Sequence, residues 1–134
     1  MPLVKEETLP IRSENDMVLA RQAARKWASE LGFSLVDQTK IVTAASELAR
    51  NTLVHGGGGT MRLEVLVEGS RKALRLTFED RGPGIADIEL ALKDGYTTGT
   101  GLGLGLSGSK RLMSEFNIVS RVGEGTRVTV AKWK

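Results

Sequence analysis

The chain contains no cysteine, which excludes a disulfide framework and a thiolate metal site and suits a reducing cytoplasm. Aromatic residues make up only 4%, too few for a base-stacking surface. Neither sign of charge dominates. The 19 Lys and Arg against 16 Asp and Glu leave a dispersed net +3, which does not argue for nucleic acid. No apolar run approaches membrane-spanning length, and the opening MPLVKEETLPIRSEND has no apolar signal core. The expectation is a cytoplasmic protein with no membrane and no nucleic-acid partner. There is no internal repeat, and the only biased stretch is glycine-rich, at 99–108. The remainder is ordinary: 40% hydrophobic and 26% charged over 134 residues, enough for a real core but short for two domains. Residues 1–134 therefore read as one domain.

Hydrophobic periodicity orders the elements. VKEETLPI (4–11) predicts an edge strand limited by Pro10. A helix follows, capped by Ser13 with Asp16 and stopped at Gly32; Ala20, Ala24, Trp27 and Leu31 recur along one face. A second helix is capped at Ser34 with Asp37 and stopped at Gly56. MRLEVLVEG and ALRLTFED alternate as strands, through Met61, Leu63, Val65 and Val67 and then Leu74, Leu76 and Phe78, giving an antiparallel hairpin. IADIELALKDG reads as a short helix and LSGSKRLMSEFN as another. IVSRV and TRVTVAKW close the chain as a second hairpin around GEG. Helices followed by strands, with little regular βαβ alternation, predict an α+β two-layer sandwich. Its helices lie on one face of a mixed, mostly antiparallel sheet.

Four constellations carry chemistry. Glycines 103, 105 and 108 satisfy G-x-G-x-x-G, but the residues before them, KDGYTTGT, are polar rather than an apolar strand, so the dinucleotide fingerprint fails on context. A P-loop fails as well, because Lys110 follows Ser109 without the required Gly-Lys-Ser/Thr. What survives is an anion site made by open backbone N–H groups before a helix start, or equally a flexible loop before a packed helix. In SELARN, Glu47 and Asn51 lie four apart on one helical face, with His55 a turn further on. Facing inward, they supply a proton acceptor and an oxygen ligand for Mg²⁺, although a single such pair is ordinarily a solvated surface. His55 reads as a helix C-terminal cap. In EDRGPGI, Asp80 ends an apolar strand, and Gly82 and Gly84 let the backbone approach a flat ligand; the same run is also a plain turn. A carboxylate there accepts a hydrogen bond from an exocyclic amine such as that of adenine. GEGT (123–126) is first a hairpin turn, and Thr126 reaches the side of Asp80 if the two strands are neighbours.

The order and spacing of these weak signals are more specific than any one of them. Glu-x-x-x-Asn on a helix, Asp-x-Gly-x-Gly after a strand, Gly-x-Gly-x-Gly before a helix and Gly-Thr in a hairpin resemble the GHKL (Bergerat) ATP-binding fold of gyrase, Hsp90, histidine kinases and MutL. The match covers nearly the whole chain. There is no room for a dimerisation and phospho-acceptor domain, so a complete histidine kinase is excluded. ASELARN, EDRGPGI, DGYTT, GLGLGLSGSKRLMSEF, GEGT and the late KW most resemble the small serine/threonine kinases of bacterial partner-switching systems, in their stressosome switch-kinase branch. The very short segment from Asp94 to Gly101 favours that branch over the anti-sigma-factor kinases.

The resemblance implies ATP and Mg²⁺ as cofactors. It makes Asn51 the metal-holding residue and Glu47 the base that orients or deprotonates the attacking hydroxyl. Asp80 reads the adenine amine with help from Thr126, Gly82 and Gly84 shape the floor, and Gly101, Gly103 and Gly105 cradle phosphates beneath a lid at 94–102. It implies STAS-domain proteins as substrates and a PP2C-type phosphatase as the partner bound and activated on release; the alternative is an anti-sigma factor with kinase activity that sequesters a sigma subunit. It assigns no role to His55, Lys110 or Arg111, the latter two being equally a solvated helix face.

Overall fold

A computed structural model describes residues 3–92 and 106–134. The glycines at 101, 103 and 105 and the 94–102 segment lie outside the described residues. The chain runs β1 (Leu3–Ile11), α1 (Glu14–Glu30), α2 (Leu35–Val54), β2 (Gly59–Glu68), β3 (Arg71–Asp80), α3 (Ile88–Ala91), α4 (Leu106–Leu112), β4 (Glu115–Arg121) and β5 (Gly125–Trp133). The five strands form one sheet in the order β1-β2-β3-β5-β4.

Both long helices begin where their capping residues predict. The Ser13 hydroxyl accepts from the Asp16 N–H and the Ser34 hydroxyl from the Asp37 N–H, each at 3.1 Å, satisfying a donor that the first turn leaves unpaired. Ser34→Ala is expected to lower stability by about 1 kcal/mol, read as a fall in the urea midpoint at unchanged slope.

The sheet explains how the helices are held. Every strand pairing is antiparallel, so the expected mixed sheet is corrected to a purely antiparallel one. Two hairpins, β2–β3 and β4–β5, lie side by side with β3 against β5, so that β3 and β4 run parallel to each other with β5 between them and no two adjacent strands are parallel. On the helix-facing side, Met61, Leu63, Leu74, Leu76, Phe78 and Val130 alternate with outward residues. They close against Ile41, Ala44, Ala45 and Leu48 of α2 and Ala20, Ala24 and Trp27 of α1 in one continuous core.

Two predicted helices are shorter than expected. The stretch 85–95 is helical only at Ile88–Ala91 among the described residues, started by the Asp87 carboxylate accepting from the Leu90 N–H. The helix expected over 106–117 ends at Leu112, and β4 begins at Glu115. There Phe116 pairs with Val130 and Ile118 with Val128, so sheet pairing overrides the local helical tendency.

The same region explains why its residues occur together. The Lys132 ammonium donates to the Leu112 carbonyl at 2.8 Å, capping the end of α4, and the Trp133 indole N–H donates to the Glu115 carboxylate. The KRLMSEF and KW segments are thus two sides of one contact, which fixes α4 against the sheet.

Candidate functional site

Alternation along β3 carries Leu74, Leu76 and Phe78 to the helix side, and the next inward position is Asp80, the last residue of the strand. Opposite it on β5 stands Thr126, in register, and opposite it on β2 stands Gly59. The C-terminal turn of α2 passes above, placing Asn51, Thr52, His55 and Gly56 over the sheet's end. Between them lies a cleft of about 380 Å³ whose wall also includes Phe78, Gly84, Leu106 and Thr126. Most of that wall is apolar, with a few convergent polar groups, as small-ligand sites generally are.

The α2 terminus and the loop after β3 meet through glycines. A Cβ on Gly82 would stand 2.7 Å from the Gly56 Cα, and a Cβ on Gly56 would run into the Asp80 side chain, so neither residue has room for a side chain. Gly84 has φ +76°, a left-handed conformation in which a side chain would also run into the Arg121 carbonyl.

Asp80 is half-buried, and its Oδ1 accepts from the Gly82 N–H at 2.9 Å. Burial pushes its carboxyl above the ordinary carboxylate range; backbone hydrogen bonds from Gly82 and Thr126 oppose that, and the charge of Glu79 adds to it. A carboxyl with a raised folded-state pKa binds its proton more tightly when folded, so its charged form costs stability, and that cost grows as pH rises through the raised value. Asp80→Asn removes the cost. Without ligand, the melting temperature of the variant relative to wild type is expected to be most favourable at about pH 7, and the gap to narrow toward about pH 4.

Asn51 is half-buried and lines the cleft, and its backbone carbonyl accepts from the backbone N–H groups of His55 (3.0 Å) and Gly56 (3.1 Å). His55 is the C-cap of α2, as its position suggests, and it also lines the cleft; burial and then the charge of Arg50 lower its pKa, favouring the neutral imidazole. Glu47 lies one turn before Asn51, half-buried and outside the cleft lining. Asn51, Asp80, Gly84 and Thr126 are thus brought together at one cleft, Gly82 packs beneath it, and Glu47 sits beside it. Among the described residues no group of three or more His, Asp or Glu is placed to hold a metal ion, and no helix is long and apolar enough to cross a membrane.

Two residues at the site carried no assignment from the sequence. Gly56 was read only as a helix stop, yet it is the surface on which Gly82 and the Asp80 carboxylate rest. Ser120 of β4 stands opposite Thr126, 2.7 Å between hydroxyl oxygens, and accepts from the Ile85 N–H at 2.8 Å. The alternation Phe116, Ile118, Ser120 would have shown it to be inward-facing, but reading 113–117 as helix broke that pattern.

Two helices over one face of an antiparallel sheet, with a cleft between the second helix and the end of a central strand, make an α+β architecture with a small-ligand cleft. The family profile described as histidine kinase-, DNA gyrase B-, and HSP90-like ATPase matches residues 36–134, and the chain belongs to that family. Within it, the chain is 49% identical over 123 residues to the serine/threonine-protein kinase RsbT of Bacillus subtilis, covering 92% of each, which groups it with kinases of that type. It is 33% identical over 127 residues to an anti-sigma F factor of Anoxybacillus flavithermus, covering 90% of this chain and 85% of the relative. The crystal structure of the RsbU and RsbW domains of Rv1364c from Mycobacterium tuberculosis shares the fold, with a TM-score of 0.62 at 24% identity. That match spans 98% of this chain and 32% of the other.

Proposed function

We propose that this chain is a cytoplasmic ATP-dependent protein-serine/threonine kinase, whose substrates are STAS-domain proteins of a bacterial partner-switching system. On release from them it binds and activates a PP2C-type phosphatase. The observation that carries the reading is the pairing of Asp80 with Thr126 at the end of an apolar cleft under Asn51. A carboxylate acceptor in a mostly apolar cleft suits a purine bearing a six-position amine. The likeness to a named serine/threonine-protein kinase over nearly the full length of both chains supports the reaction.

In this reading Asp80 accepts from the adenine amine, Thr126 assists it, and Gly82 and Gly84 form the floor. Gly101, Gly103 and Gly105 offer backbone N–H groups to the phosphates under the 94–102 lid. Asn51 supplies one protein oxygen to Mg²⁺. A single amide, with no carboxylate cluster among the described residues, fits an ion held mainly by phosphates and water, as Mg²⁺ generally is. When bound, the ion neutralises charge on the transferring phosphoryl group. Glu47 orients the protein hydroxyl and takes its proton. Transfer then rests on positioning and charge stabilisation.

The identity to an anti-sigma F factor favours a second reading, an anti-sigma factor with kinase activity that holds a sigma subunit. Incubation with Mg-ATP and purified STAS-domain proteins, followed by phosphosite mapping, tests the first. A phosphoserine or phosphothreonine on the STAS domain is the expected result. Retention of a sigma subunit with no transfer would put the second reading in its place.

A further inference from the structure

Ser120 sits behind Thr126 rather than in the cleft, and its hydroxyl is surrounded by three groups. The Ile85 N–H donates to it at 2.8 Å, the Gly125 carbonyl lies at 3.2 Å, and the Thr126 hydroxyl at 2.7 Å. Ser120 has one proton to give and two acceptors to choose from. If the proton goes to Gly125, Thr126 must donate to Ser120, and only lone pairs of Thr126 then face the cleft. If it goes to Thr126, at the shorter distance, the proton of Thr126 is released for a ligand. The order of protons in this pair decides whether the group beside Asp80 is a donor or an acceptor.

That choice matters because Asp80 reads only half of a purine edge. For a base lodged with its six-position substituent on Asp80, adenine presents an amine to the carboxylate and an unprotonated N1 beside it. Guanine and hypoxanthine present an oxygen at position six and a protonated N1. A hydroxyl at N1 that can turn either way tolerates both. A hydroxyl held as a donor accepts adenine and meets a second mismatch with the oxo-purines.

We propose that Ser120 is a positioning residue for base recognition: it donates to the Thr126 oxygen and so holds the Thr126 proton toward the N1 position of the bound base. The Ile85 N–H, by occupying a lone pair of Ser120, keeps the serine rotamer in place and ties the 82–85 turn to the β4–β5 hairpin. Ser120 touches no ligand itself. The inference rests on the reading of the cleft as an adenine-nucleotide site and adds to it the residue that fixes the polarity of the N1 contact.

The test uses the full chain and two probes, ADP and 1-deaza-ADP, which keeps the amine but has a C–H in place of N1. By titration calorimetry, Ser120→Ala is expected to bind ADP about 3- to 10-fold more weakly than wild type, and 1-deaza-ADP with less than about a twofold change. A merely structural serine would weaken both probes alike, and that outcome overturns the proposal, as does an unchanged affinity for ADP. Ser120→Thr, which keeps the hydroxyl, is expected to recover ADP affinity. The wild-type chain supplies an arm that no misfolded variant can spoil: 1-deaza-ADP must bind it more weakly than ADP, and equal binding overturns the N1 donor. Failure of wild type to bind ADP at all overturns the cleft reading and this proposal with it. ADP binding that does not depend on Ser120 overturns this proposal alone.

Discussion

Glu47→Ala is expected to keep nucleotide affinity within about twofold while losing about 10²- to 10⁴-fold in the rate of transfer to a STAS-domain protein, the range usual for a positioned general base. The split follows from position. Glu47 is half-buried on α2, one turn before Asn51 and outside the lining of the cleft, so its removal takes nothing from the wall that holds the base. What it removes is the carboxylate proposed to orient and deprotonate the protein hydroxyl. Asn51→Ala, by contrast, is expected to lose Mg²⁺-dependent binding and transfer together, since it takes an oxygen out of the cleft itself. Nucleotide titration followed by single-turnover transfer at saturating Mg-ATP separates the two. A Glu47→Ala chain that phosphorylates its partner at the wild-type rate would leave Glu47 a structural residue and overturn its role as the base.

The second large effect is at Asp80. Asp80→Asn is expected to weaken ATP by about 1.5–3 kcal/mol, the value of a hydrogen bond to a charged acceptor, or roughly 10- to 150-fold. Folding is not expected to suffer with it. The Gly82 N–H retains an oxygen to donate to, and the raised pKa of the native carboxyl means that its charged form is held in place against the stability of the empty protein. Loss of ligand without loss of melting temperature is the combination to look for. Equal binding of ATP and GTP by the wild-type chain would show that Asp80 does not read the six-position amine of adenine.

How far the sequence foretold this arrangement depends on how local each signal was. The caps at Ser13 and Ser34 and the period-two run ending in Asp80 are local, and they stand where the pattern put them. Thr126 was legible only conditionally: its approach to Asp80 required β3 and β5 to be neighbours, and they are. The start of β4 was not legible. SKRLMSEFN has helical spacing, and only the pairing of Phe116 and Ile118 with β5 makes a strand of its second half. That misreading hid Ser120. The mixed sheet was mistaken for a related reason, since strand direction across β3–β5 is decided by packing rather than by any run of residues. The contact of Gly56 with Gly82 is also a property of two distant segments meeting, and glycine composition alone does not reveal it.

The position of β3 has a consequence for how the protein reaches its working form. β2 joins β3 through a short hairpin, a local pairing that closes quickly, whereas β5 must come from far along the chain to lie on the other side of β3. Asp80 and Thr126 belong to that late, long-range pairing, so the recognition end of the cleft does not exist in any partly folded chain that lacks the β3–β5 seam. The long-range seam between the two hairpins makes the Asp80–Thr126 pairing a property of the whole fold, and a chain cut before the last hairpin is expected to lack it.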